Sequence, residues 1–133
     1  MLSVHLTFPG TCEEAFRCYE RVLGGSRLAV FHYGDTPAAA DVPGDFRDKV
    51  VHATLIVGAY QLAGADVDPA RFERPAGFYL LLSAATREDA ERIFAQLADG
   101  GAVKMALQAT FWSPAFGVLV DRFGTPWEIT VAG

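Results

Sequence analysis

The sequence predicts an α+β fold: two paired βαβββ modules forming a curved mixed sheet with a concave cup. Three observations predict it. A strand, a capped helix, a Gly-Gly stop and further strands occur in that order, and the series then recurs; Thr11 and Thr86, which open the two helices, lie 75 residues apart (86 − 11). The strand segments alternate apolar and polar residues with a period of two. Hydrophobic residues make up 51% of the 133, enough for a core that needs no disulfide or metal. The chain is therefore expected to be one domain, 1–133, with modules at 1–65 and 66–133.

The elements follow in order. Residues 2–8 alternate strictly, with Leu2, Val4, Leu6 and Phe8 on one face and Ser3, His5 and Thr7 on the other. Thr11 with Glu14 reads as a capping box, so a helix is expected over 11–23. Its apolar stripe is Ala15, Phe16, Tyr19, Val22 and Leu23, and Gly24-Gly25 stops it. Strands are expected at 27–33, 50–57 and 60–63, with a Pro/Gly-containing loop over 34–49. After a connector with Pro69 and Pro75 comes a strand at 78–83. Thr86 with Asp89 caps a helix over 86–98, whose stripe is Ala90, Ile93, Phe94 and Leu97 and whose stop is Gly100-Gly101. Strands at 102–107, 115–120 and 127–131 complete eight. Each module covers one sheet face with its helix and leaves the other bare, and two bare faces can form a concavity for a small ligand.

Composition narrows the partners. Acids outnumber bases 16 to 11, and no Lys/Arg cluster offers a surface to nucleic acid. No apolar run approaches the ~20 residues of a membrane span. Residues 1–5 lack a basic stretch followed by an apolar one, so a cytoplasmic protein is expected. Cys12 and Cys18 lie six residues apart on the first helix (18 − 12), on different faces; they read as small partly buried thiols, not a disulfide or a zinc site. Gly34-Asp35 lacks the spacing of a phosphate loop. No nucleophile–base arrangement can be argued from spacing.

Among polar residues, His5 and His52 with Thr54 are placed to look into the cup, and His32 is expected to be exposed. Glu128 interrupts an apolar strand, and a carboxylate there needs a cation, a donor or water. Phe16, Tyr19, Phe94 and Trp127 read as core. Phe111 and Trp112 read as packing residues before ligand clamps, with Trp112 at the cup.

Cys12-Glu13-Glu14-Ala15-Phe16 with Tyr19 and Gly24-Gly25, and His52-Ala53 in the third strand, resemble the PhnB-like branch of the glyoxalase/bleomycin-resistance (vicinal-oxygen-chelate) superfamily. So does the C-terminal run Gly100-Gly101-Ala102-Val103, Met105, Leu107-Gln108, Thr110-Phe111-Trp112, Phe116-Gly117, Asp121, Phe123-Gly124 and Trp127. The resemblance covers nearly the whole chain. It implies paired βαβββ modules, a homodimer and a cupped ligand site with up to four metal ligands. Those positions fall on Ser3, Gln61, Phe78 and Glu128. Phe78 has no donor atom and only Glu128 keeps both type and place, so no cofactor is expected; a divalent metal, if bound, would use Glu128 and His5.

The sequence reading is thus a binding protein for a small molecule in the cup, lined by His5, His52, Thr54, Gln61, Phe78, Trp112 and Glu128, with a degenerate metal site. The alternative is a metal-dependent lyase, isomerase or dioxygenase acting on adjacent oxygens of its substrate. A third reading is an interaction module that keeps only the dimer.

Overall fold

The structure, a computed structural model, describes residues 2–25 and 27–132. The chain forms two compact units, residues 1–73 and 74–133.

In the first unit, β1 (Val4–Phe8) leads into helix α1 (Cys12–Leu23), then β2 (Arg27–His32), β3 (Val50–Val57) and β4 (Tyr60–Asp66). The segment between β2 and β3, expected as a loop, contains three short 3-10 turns. The sheet order is β1-β4-β3-β2, with β1 and β4 parallel and the other pairs antiparallel. The alternation of β1 is realised: Leu6 and Phe8 are buried while His5 and Thr7 are exposed. Helix α1 buries Ala15, Phe16, Tyr19 and Val22, and with them Cys12 and Cys18. Burying side chains such as Phe8 and Phe16 contributes about 1.5–3 kcal/mol each. The Phe16 ring lies so close to Gly64 of β4 that a Cβ there would come within 2.7 Å of it.

Two expectations in this unit are corrected. Thr11 makes no side-chain cap. The start of α1 is held instead by Asp66, buried at the end of β4, whose Oδ1 accepts from the backbone N–H groups of Gly10 (3.0 Å) and Cys12 (2.9 Å). Its Oδ2 accepts from Val50 N (2.9 Å). A carboxylate supplied across the sheet thus takes the place of a local cap. The fourth strand also runs past 63 to include Asp66.

The second unit repeats the plan: β5 (Leu80–Ala84), α2 (Arg87–Ala98), β6 (Ala102–Gln108), β7 (Phe116–Val120) and β8 (Pro126–Val131). Its order is β5-β8-β7-β6, again first, fourth, third, second, and its first and fourth strands are again parallel. Here the predicted cap forms, with Asp89 N donating to Thr86 Oγ1 at 3.1 Å. The predicted stripe Ala90, Ile93, Phe94 and Leu97 is buried, as are Leu119, Trp127 and Ile129. Asp121 organises the turn before β8: Oδ1 accepts from Phe123 N and Thr125 N, and Oδ2 from Trp127 Nε1 at 3.0 Å. The first strand begins at Leu80, so Phe78 and Tyr79 precede it. Phe111 and Trp112 are 97% and 56% exposed.

Candidate functional site

Each sheet has one face covered by its helix and one open face. In the first unit the strand register maps the open face residue by residue. Ala29 pairs with Thr54, Thr54 with Ala63, and Ala63 with His5, which makes one row across all four strands. One step along, on the same face, Thr7 pairs with Ala65 and His52 pairs with Phe31. One step the other way, Arg27 pairs with Ile56 and Ile56 with Gln61. His5, His52, Thr54 and Gln61 therefore share one face, as the alternation required.

Between the polar residues of β1 and β3 lie Ala63 and Ala65 of β4. Strands β1 and β3 flank β4, so their backbones stand two strand spacings apart, about 9.5 Å. The His5 and His52 ring centroids are only 6.4 Å apart, with the rings 27° from parallel. The two imidazoles lean toward each other over the alanines, and Ala63 keeps only 7% of its surface exposed. A larger residue at 63 or 65 would hold them apart. The result is a shallow recess with a methyl floor and four polar corners: His5, Thr7, His52 and Thr54. The contribution of Thr7, Ala63 and Ala65 was missed in the sequence because it depends on strand order.

The open face of the second unit differs. Glu128, half-buried, is paired between Leu81 and Val118. Leu81 is 61% exposed, and both cross-strand neighbours of Glu128 are apolar. Two residues along β8, Thr130 pairs with Phe116, and Trp112 packs edge-on against Phe116 at 5.3 Å, with Phe111 on Trp112 at 4.7 Å. Trp112 is thus tied to an open-face residue. Phe78 lies outside the paired part of β5; Leu81, not Phe78, is the residue registered with Glu128.

The third histidine is not free. His32 is half-buried and hydrogen-bonded through Nε2 to Glu13 Oε1 at 2.7 Å, while Arg17 bonds the other Glu13 oxygen at 2.8 Å. The His32 bond, then the Arg17 bond, holds the Glu13 carboxyl below its ordinary range. Cys12 is buried, and burial first, then the charges of Asp66 and Glu13, pushes its thiol far up. It is a protonated core residue, not a nucleophile.

A metal of the kind found in the superfamily does not fit the donors present. Phe78 offers only carbon, Ser3 and Gln61 are neutral oxygens, and among the described residues no group of three or more His, Cys, Asp or Glu is placed to hold an ion.

A helix over a four-stranded sheet, made twice with one strand order, defines the glyoxalase/bleomycin-resistance/dioxygenase fold class. A glyoxylase/bleomycin resistance protein/dioxygenase domain from Frankia sp. EAN1pec shares it, with a TM-score of 0.65 at 19% identity over 100% of this chain and 97% of that one. The chain belongs to the PhnB-like family described as 3-demethylubiquinone-9 3-methyltransferase, whose model matches residues 1–130. Protein YjdN of Escherichia coli (strain K12) is 33% identical, over 98% of this chain and 94% of that protein. The crystal structure of protein PA1353 from Pseudomonas aeruginosa matches with a TM-score of 0.89 and 41% identity, over 98% and 96% of the two chains. A putative 3-demethylubiquinone-9 3-methyltransferase, PhnB protein, from Bacillus cereus matches with a TM-score of 0.77 and 24% identity over 98% of each. Among the described residues no helix is long and apolar enough to cross a membrane.

Proposed function

We propose that this chain binds a small molecule on the open faces of its sheets, without a catalytic metal at the superfamily's ligand positions. Its polar anchors are His5, His52, Thr54 and Gln61 on the first sheet and Glu128 on the second, with Phe78 and Trp112 as apolar contacts. The observation that carries the reading is the inward lean of His5 and His52 over Ala63. Polar side chains grouped around a methyl-floored recess, with apolar surface elsewhere, are the usual make-up of a ligand site.

The direct test is a ligand-detected NMR screen of small polar compounds, repeated on His5→Ala, His52→Ala and Glu128→Ala. Hits that the wild-type chain binds and these variants lose are expected; hits indifferent to all three would sink the proposal. Zinc, nickel or manganese titrated by calorimetry should show no 1:1 sub-micromolar site. Such a site, abolished by Glu128→Ala, would put the metal-dependent lyase, isomerase or dioxygenase first. We further read the two units as one domain in a homodimer, since edge strands and exposed apolar groups such as Leu81 and Trp112 call for cover. Only monomer in sedimentation at micromolar concentration would refute the dimer, and two separated calorimetric transitions would divide the domain.

A further inference from the structure

We infer that the first sheet binds a compact oxyanion, a carboxylate or phosphate-type group, seated in the recess of His5, Thr7, His52 and Thr54; this rests on the small-molecule reading above. The corners are donors. Each imidazole carries at least one N–H in either tautomer, and each threonine carries an O–H. The alanine floor offers nothing polar to compete.

Charge points the same way. The chain is acidic, with a net charge of -5. Yet the ionisable side chains that the strand register puts on this open face are His5, His52 and Arg27, with no carboxylate among them. The acids of the unit lie elsewhere. Asp66 is turned to the buried helix side, and Glu13 and Glu14 belong to α1. Hydrogen bonds to an ionised acceptor are roughly twice as strong as neutral ones, so an oxyanion gains more from these corners than a carbonyl or an ether.

One neighbour sets the ligand's direction. Thr7 also borders a cleft of about 700 Å³ lined by Asp41, Asp45, Asp68, Glu73 and Arg71, with Tyr33 and Phe46 as its aromatic wall. Four carboxylates against one guanidinium oppose a second negative charge there. The oxyanion must sit on the histidine side, and whatever extends past Thr7 is neutral or cationic.

The test uses the full chain and two simple probes, inorganic phosphate and acetate, each titrated at constant ionic strength against a chloride baseline. The imidazole resonances of His5 and His52 and the methyls of Ala63 and Ala65 are followed by NMR. Saturable shifts at these groups with either anion are expected, weakened at least about tenfold in His5→Ala and in His52→Ala, with amide spectra showing both variants folded. Shifts no different from chloride, or the same groups responding instead to methylammonium, would overturn the inference. If the screen above finds neutral or cationic compounds on these residues while both anions fail, the oxyanion is wrong and the small-molecule reading stands. If nothing of any charge binds there, both fall.

Discussion

The two units share a scaffold and differ in what they expose. Both run strand, helix and three strands in the same order, and both bury an aromatic from the helix, Phe16 or Phe94, against a glycine of the sheet, Gly64 or Gly117. On the open side the likeness ends. The first sheet shows two histidines, two threonines and an amide around alanine methyls, with Phe31 and Ile56 beside them; the second shows Leu81, Val118 and Phe116 beside one carboxylate, Glu128, and the neutral polar groups of Ser83, Thr130 and Gln108. The covered faces are constrained alike by core packing, which tolerates little change. The open faces carry no helix and are under no such constraint, and there the two halves diverge.

The largest expected effect separates the two buried aspartates. Asp66 joins segments 16 to 56 residues away in sequence, whereas Asp121 accepts from Phe123, Thr125 and Trp127, two to six residues on. Charge-assisted bonds contribute about 1.5–3 kcal/mol each and do not add fully, so Asp66→Ala should cost about 3–5 kcal/mol and Asp121→Ala about 2–3 kcal/mol. Denaturant unfolding reads the difference. Should Asp66→Ala fail to fold, Asp66→Asn keeps one acceptor and should still be the weaker of the two asparagine variants. Equal losses at the two sites would mean that the long-range link is no stronger than a turn.

A smaller contrast lies at the glycines. A Cβ at Gly64 meets the Phe16 ring, and its third neighbour is the Leu6 carbonyl at 3.1 Å; at Gly117 two of the three nearest atoms are backbone, Leu107 Cα and N at 3.0 and 3.1 Å. Overpacking costs typically about 1–3 kcal/mol. Gly117→Ala should fall at the upper end and Gly64→Ala at the lower. Adding Phe16→Leu should recover part of the loss at Gly64 only.

Alkaline stability should distinguish the units by a thiol. Cys12 sits at the start of α1, where α2 has Arg87, and its folded pKa is raised by burial. Above the ordinary thiol pKa of about 8.5 the unfolded chain loses this proton and the folded chain keeps it, so stability falls by about 1.4 kcal/mol per pH unit until the folded pKa is reached. Below that window the contribution is fully present. Cys12→Ala should remove this part of the alkaline slope, and the native thiol should resist iodoacetamide at neutral pH. Alkylation faster than unfolding would show that the site opens.

What was legible in the sequence was whatever depends on near neighbours. Helix stripes follow from periodicity, and nearly every residue assigned to them is buried. The glyoxalase-like repeat was visible because two cap signals and two Gly-Gly stops recur at nearly the same spacing. The failures share one cause, a role set by distant pairing. The predicted fourth strand ended at 63, yet Gly64 lies within it and leaves the space that the Phe16 ring fills. Asp66 reads as the first residue of a connector and is the carboxylate that three segments share. Alternation put His5 and His52 on inward faces, but their approach depends on β4 lying between β1 and β3 and on its two alanines. Phe111 and Trp112 were expected to pack, and their rings do meet each other and Phe116, but how exposed they are is a property of the segment that carries them.

The smallest expected effect is also the cleanest test of how the two helices begin. Both threonines carry the same sequence signal, an acidic residue three positions on. Thr86 has extended backbone angles, φ -132° and ψ 160°, from which its hydroxyl reaches Asp89 N; Thr11, at φ -109° and ψ 14°, makes no such bond. Gly10 and Cys12 already donate to Asp66 on either side of it. Losing an N-cap hydroxyl costs typically about 1 kcal/mol, so Thr86→Ala should lower stability by about that amount while Thr11→Ala changes it by a few tenths at most. In an Asp66→Asn background the start of α1 loses its charged acceptor, and the Thr11 hydroxyl can then turn to the first-turn N–H groups. There Thr11→Ala should cost more than in the wild-type chain. Additive effects of Asp66→Asn and Thr11→Ala would show that the threonine never serves as a reserve cap.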